Sequence, residues 1–118
     1  MVKFRFQDLE IWNMAIEITD ELFDIADKLE EKRLYGFSEQ LRASGMSMSN
    51  NIAEGSGSSS NREFSRYLDI AKKSMFENAN ILIILNRRNL IGEDEKNDLI
   101  EKIDHLCRKI MNFIRTLK

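Results

Sequence analysis

No proline occurs anywhere in these 118 residues, and there are only five glycines. Such a chain lacks the residue that breaks helices from within, and it is poor in the turn residues that many short strands need. Long helices are the expected elements, and the apolar residues recur at helical spacing. From Asp8, a good N-cap, to Glu31, two heptad seams interleave. Trp12, Ile16, Phe23 and Ala26 belong to one; Ile11, Ile18, Leu22, Ile25 and Leu29 belong to the other. At about 100° per residue the seams lie roughly 100° apart and together span about half the circumference. One neighbour covers less than that, so the first helix needs at least two.

Three further helices follow. Lys32 to Phe37 reads as a connection, and a helix rich in small residues is predicted over 37–54. Gly55-Ser56-Gly57-Ser58-Ser59 reads as a linker, with Gly55 in the left-handed position that ends a helix. Ser60-Asn61-Arg62-Glu63 matches a capping box and opens a helix over 61–89. Gly92 breaks the chain, and Glu93-Asp94-Glu95 start a last helix over 93–117, where the helix dipole favours negative charge. Short connections between four helices predict one all-α domain over 1–118, an antiparallel up-down-up-down four-helix bundle. Ile81 to Leu85 are apolar on every side of their helix. An isolated bundle leaves one side of each helix in water, so this ring predicts a homo-oligomer.

Charge and composition narrow the function. The net charge is −2, which argues against a nonspecific nucleic-acid binder. It is unevenly spread: residues 1–60 hold six Lys/Arg against eleven Asp/Glu, and residues 61–118 hold twelve against nine. No stretch approaches the roughly 20 apolar residues of a membrane span, and Met1 to Phe6 lack a signal core. With Cys107 the only cysteine, a reducing cytoplasm is the expected location and no membrane partner is expected.

Chemistry is hard to find. His105 is the only histidine, and no Glu-x-x-His pair exists for a bundle metal site. Cys107 is two residues further on, about 200° around the helix, so the two cannot work as nucleophile and base. His105 reads as a surface residue and Cys107 as a core thiol. No catalytic residue, metal, cofactor or small-molecule substrate is expected.

Two polar features remain. Asn51 and Glu54 lie three apart at the end of the second helix, within reach of each other, and are expected to lock the turn that follows. Arg62, Arg66 and Lys73 share a stripe on the third helix, with Arg87-Arg88 near its end and Asp69 interrupting. A solvated face is the ordinary use of such a stripe, and phosphate contact the sharper one. No aromatic is expected among these cations as a stacking platform.

Several motifs together resemble a known family. Gln40-Leu41-Arg42 followed by Asn51-Ile52-Ala53-Glu54-Gly55 is similar to the signature of the four helix bundle proteins encoded in intervening sequences of bacterial 23S ribosomal RNA genes. Phe6-x-x-Leu9-x-Ile11-Trp12, Glu63-Phe64 and Ile70-Ala71-x-x-Ser74 agree with it. Ala43 stands where a second Arg is usual, and Ser49 where Pro is common. The resemblance implies a four-helix bundle, a ring-like homopentamer and no known enzymatic activity. It extends to accessory proteins of diversity-generating retroelements, basic pentamers that bind nucleic acid and a reverse transcriptase. The functional expectation is thus a non-catalytic oligomeric scaffold binding RNA or a ribonucleoprotein through Arg62, Arg66, Lys73, Arg87 and Arg88. The alternative is a protein-binding adaptor, such as an accessory subunit of a reverse transcriptase, without direct nucleic-acid contact.

Overall fold

A computed structural model describes residues 1–118. A single 3-10 turn, Arg5–Asp8, leads into four α-helices: α1 (Glu10–Glu31), α2 (Tyr35–Ser56), α3 (Asn61–Arg87) and α4 (Glu93–Thr116). No strand is present. The helices form a ring in which α2 lies against α1 and α3, α4 closes between α3 and α1, and the diagonal pairs do not meet. This is the expected all-α four-helix bundle. The α2–α3 contact is the most extensive and the α1–α4 contact the sparsest.

Both seams of α1 are used as the periodicity requires. Ile11, Ala15, Ile18, Leu22, Ile25 and Leu29 are buried in the centre of the core, whereas Trp12, Ile16 and Phe23 are half-buried on the flank facing α2. Leu41, Met48, Ile52, Phe64, Leu68 and Met75 complete the centre with Leu99, Leu106 and Ile110 of α4.

The helix ends differ from expectation in instructive ways. Asp8 is not the N-cap of α1: it closes the 3-10 turn and pairs with Lys3 at 2.8 Å, and Leu9 precedes the helix without a side-chain cap. Instead the Asn13 amide donates to the Leu9 and Gln7 carbonyls, at 3.0 and 3.1 Å, tying the turn to the first helical residues. The left-handed helix ends are not at glycine. Arg33 (φ 62°) and Asn89 (φ 59°) occupy them. In each case the next N–H reaches back five residues, Leu34 to the Leu29 carbonyl at 2.9 Å and Leu90 to Leu85 at 2.8 Å, the Schellman closure.

Gly55, expected in that conformation, lies inside α2, which continues to Ser56. No glycine has a positive φ. Its absent side chain answers a packing need: a Cβ there would stand 2.8 Å from Cδ1 of Phe64 and 2.9 Å from Cβ of Tyr67. The α2–α3 crossing at this end is closed down onto bare backbone.

Candidate functional site

The family-signature residues belong to α2, and the structure shows what each one holds. Arg42 projects from α2 toward α1, where its Nη2 donates to Asp27 at 2.6 Å and Glu30 at 3.1 Å. Its Nη1 donates to Ser38 Oγ at 2.7 Å. The Asp27 hydrogen bond, with Glu30 adding to it, raises the Arg42 pKa above its ordinary value. Sequence reasoning recorded Arg42 only as part of a motif; the Asp27-x-x-Glu30 spacing on α1 was the signal that it clamps two helices.

The contact expected between Asn51 and Glu54 is not made. The Asn51 amide donates one turn back, to the Ser47 carbonyl at 2.8 Å and Ser47 Oγ at 3.1 Å, and Glu54 is exposed without a side-chain partner. Other groups hold the turn. Ser58 Oγ donates to the Gly55 carbonyl at 2.6 Å, Ser56 Oγ to Ala53 at 2.7 Å, and Ser60 Oγ accepts from the Glu63 N–H at 3.1 Å. Arg5 reaches in from the N-terminal turn, its guanidinium 5.3 Å from the Phe64 ring centre and 3.4 Å from the Ser56 carbonyl. Glu63 does not complete the capping box; its carboxylate pairs with Arg66 at 2.6 Å, which lowers its pKa below the ordinary value.

Beneath the signature lies a buried polar seam that the sequence did not reveal. Asn78 is fully enclosed between α2 and α3. Ser44 Oγ donates to its Oδ1 at 2.5 Å, and its Nδ2 donates to the Ser44 carbonyl at 3.0 Å. One turn away, Ser47 and Ser74 hydroxyls share a hydrogen bond of 2.7 Å. Every buried side-chain polar atom has a partner. Serine and asparagine read as weak helix formers, and only their facing each other across the crossing makes them a unit.

The cations of α3 are placed outward. Arg62, Lys73, Arg87 and Arg88 are exposed and have no carboxylate within ion-pair distance, whereas Arg66 is tied to Glu63 and lies 4.7 Å from the Tyr67 ring centre. At helical spacing Arg62, Arg66, Lys73 and Arg87 follow one ridge. Beside the ridge, Phe76 stands out of α3 into a depression shared with Lys72 and Lys73. The Ile81–Leu85 ring divides in this single chain. Ile81, Leu82 and Leu85 are buried, and Ile83 and Ile84 remain 45% and 38% exposed.

His105 is exposed. Cys107 is not a core thiol but half-buried on the floor of a groove between α3 and α4, 3.5 Å from Met75 Sδ. Burial pushes its pKa up, Asp104 adds to this, and Lys72 opposes it, so the thiol form prevails at neutral pH. No three His, Cys, Asp or Glu side chains converge. No helix is long and apolar enough to cross a membrane.

Fold and site together define a small four-helix bundle whose signature residues serve the junctions of its second helix with the first and third, and whose outer surface carries unpaired cations and uncovered apolar side chains. The chain belongs to the 23S rRNA-intervening sequence protein family, whose sequence model matches residues 7–112. It is similar in fold to a crystal structure from Bacteroides thetaiotaomicron, a protein of unknown function from the S23 ribosomal protein family. The TM-score is 0.83 at 22% identity, covering 88% of this chain and 97% of that one. A comparison with curated proteins gives no match.

Proposed function

We propose that the protein is a non-catalytic, self-associating helical scaffold of the cytoplasm that engages RNA or a ribonucleoprotein. The observation that carries the reading is the α3 ridge with the adjoining Arg88: in an acidic chain, Arg62, Lys73 and Arg87 on the ridge and Arg88 beyond it face solvent with no acidic partner. Cations left free on one ridge of one helix suit a phosphate backbone, and repeating the ridge around an assembly multiplies the attraction. The family's description in terms of a ribosomal RNA intervening sequence is consistent with an RNA partner. Exposed Ile83 and Ile84 supply apolar surface for self-association, and the family resemblance points to a pentamer.

The test is a titration of single-stranded RNA at several salt concentrations. Affinity is expected to fall steeply with salt, about tenfold or more between 50 and 200 mM if several phosphates are contacted. Charge reversal at Arg62, Lys73 and Arg87 is expected to abolish it. Binding that ignores both salt and these reversals defeats the reading. The protein-binding adaptor is favoured instead if a partner captured by the protein stays bound after nuclease treatment.

A further inference from the structure

Two of the exposed large apolar side chains, Phe76 (69% exposed) and Met111 (43%), flank a single groove. It runs along the outer junction of α3 and α4 as three adjoining depressions that share Lys72, the most enclosed of them about 320 Å³ and bordered by Met75, Ile103 and Cys107. Ser65, Lys72, Phe76 and Ala79 fall on one line of α3, so the α3 wall extends about 21 Å at 1.5 Å per residue. The rim is basic. Lys72, Lys73, Arg108, Arg115 and Lys118 line it against only Asp69 and Asp104. Asp104 is taken by Arg108 at 3.1 Å and Asp69 faces Lys72 at 3.9 Å, which leaves Lys73, Arg115 and Lys118 without an acid.

The opposite side of the bundle has the complementary character. α1 and α2 are adjacent there, across the bundle from the α3–α4 junction. Trp12, Ile16, Asp20 and Phe23 follow one line of α1; the three apolar members are half-buried and Asp20 is exposed. Asp20 and Asp24 have no cation within ion-pair distance, unlike Glu10 and Glu21, which Lys109 and Lys102 of α4 occupy. Met46 of α2, 43% exposed, is placed by helical register beside this line.

We infer that the α3–α4 groove seats the acidic α1–α2 flank of a second copy of this chain. The contact joins unlike faces, so it is heterologous. Each copy keeps one free groove and one free flank, and association proceeds to a closed ring or a filament, never to a two-fold dimer. The apolar floor receives the half-buried Trp12, Ile16 and Phe23 edge while Asp20 and Asp24 meet the unpaired rim cations. Of the α3 ridge, Lys73 belongs to the rim of the groove, while Arg62 and Arg87 lie outside it. The inference rests on the self-association proposed above and names its surfaces.

The experiment uses the full chain and two variants, with light scattering at micromolar concentration. Phe76→Asp with Arg115→Glu disables the groove; Asp20→Lys with Asp24→Lys disables the flank. All four positions are exposed, so melting is expected to stay near the parent's, and Phe76→Ala replaces the first pair if it does not. The parent is expected as an oligomer and each variant as a 13.8 kDa single chain. Mixed together, the two variants are expected to form a heterodimer and stop, since each retains one intact face of a single contact. An oligomeric parent whose variants keep its mass, or variants that remain single when mixed, overturns this assignment and leaves self-association standing. A parent that is itself a single chain overturns both. A Phe76 variant that keeps the parent's mass but loses RNA overturns it by assigning the groove to nucleic acid.

Discussion

The α2–α3 and α1–α4 seams solve the same problem, closing two antiparallel helices on each other, with opposite materials. Along α2–α3 the side chains are small and many are polar: Ser44, Ser47, Ser74 and Asn78 meet in short hydrogen bonds, and Gly55 lets the backbones close in. Along α1–α4 the core is Ile and Leu, and the polar groups sit outside as ion pairs, Lys102 with Glu21 at 2.9 Å and Lys109 with Glu10 at 2.9 Å. A buried amide bonded to a named serine is satisfied in one register only, whereas Ile and Leu pack acceptably in several. The polar seam therefore specifies how the helices align, and the apolar seam mostly supplies driving force.

The sharpest way to break this contrast is Asn78→Asp. The carboxylate keeps the shape but loses the two N–H donors and adds a charge in a fully enclosed site. A loss of about 3 kcal/mol at neutral pH is expected, readable by urea denaturation. Its pH dependence identifies the cause. The buried carboxyl has a folded-state pKa raised above its unfolded value, so the penalty is full above the raised value and disappears as pH falls below the unfolded one. The parent moves the other way. Arg66 and Lys96 hold the Glu63 and Glu93 carboxyls below their ordinary 4.5. The stability these contribute is present above 4.5 and is lost as pH falls through the depressed values. The gap between variant and parent should therefore narrow in acid; a constant gap would mean the charge is not what destabilises.

Next in size is Gly55→Ala. The added methyl meets Phe64 and the Cβ of Tyr67, which is anchored to backbone and has little room to move. Overpacking of this kind costs about 1–3 kcal/mol, less up to about 1 kcal/mol that alanine returns as a better helix former. Net destabilisation is expected; stabilisation in thermal melts would show that α2 and α3 separate easily. Ser47→Ala follows, at about 1 kcal/mol, because it removes a partner from both Ser74 and Asn51.

Most of the fold was legible because its signals are periodic. The two seams on α1, the small-residue α2 and the acidic start of α4 each declare a face or an end, and the four predicted helices match within a few residues. What stayed hidden depends on pairs distant in sequence. Ser44 and Asn78 are each ordinary surface polar residues until the crossing brings them together. Gly55 carries two meanings, helix end and close approach, and local sequence favours the wrong one when a serine-rich stretch follows. Asn51 and Glu54 looked like a unit because they are three apart, yet a serine one turn earlier offered the better acceptor. The cationic ridge was readable at helical spacing, but Phe76 was not recognised beside it, since an aromatic at that place reads as core until the neighbouring helix turns out not to cover it.

The smallest expected effect sharpens the comparison from its weak side. Lys102 bridges Glu21 of α1 and Asp98 of its own helix, at 2.9 and 3.1 Å, and these hydrogen bonds raise its pKa above the ordinary value. Both Lys102 and Glu21 remain substantially open to solvent, where water and salt screen the attraction and ordering two long side chains offsets part of it. A double-mutant cycle of Lys102→Ala and Glu21→Ala is expected to give a coupling of about 0.5 kcal/mol or less, vanishing at high salt. The equivalent cycle for Ser44→Ala and Asn78→Ala is expected to exceed it and to persist in salt, because that pair lies where counterions do not reach. Were the ion pair to couple more strongly than the buried serine–asparagine pair, register would have to be set on the α1–α4 side, and the roles assigned to the two seams would be exchanged.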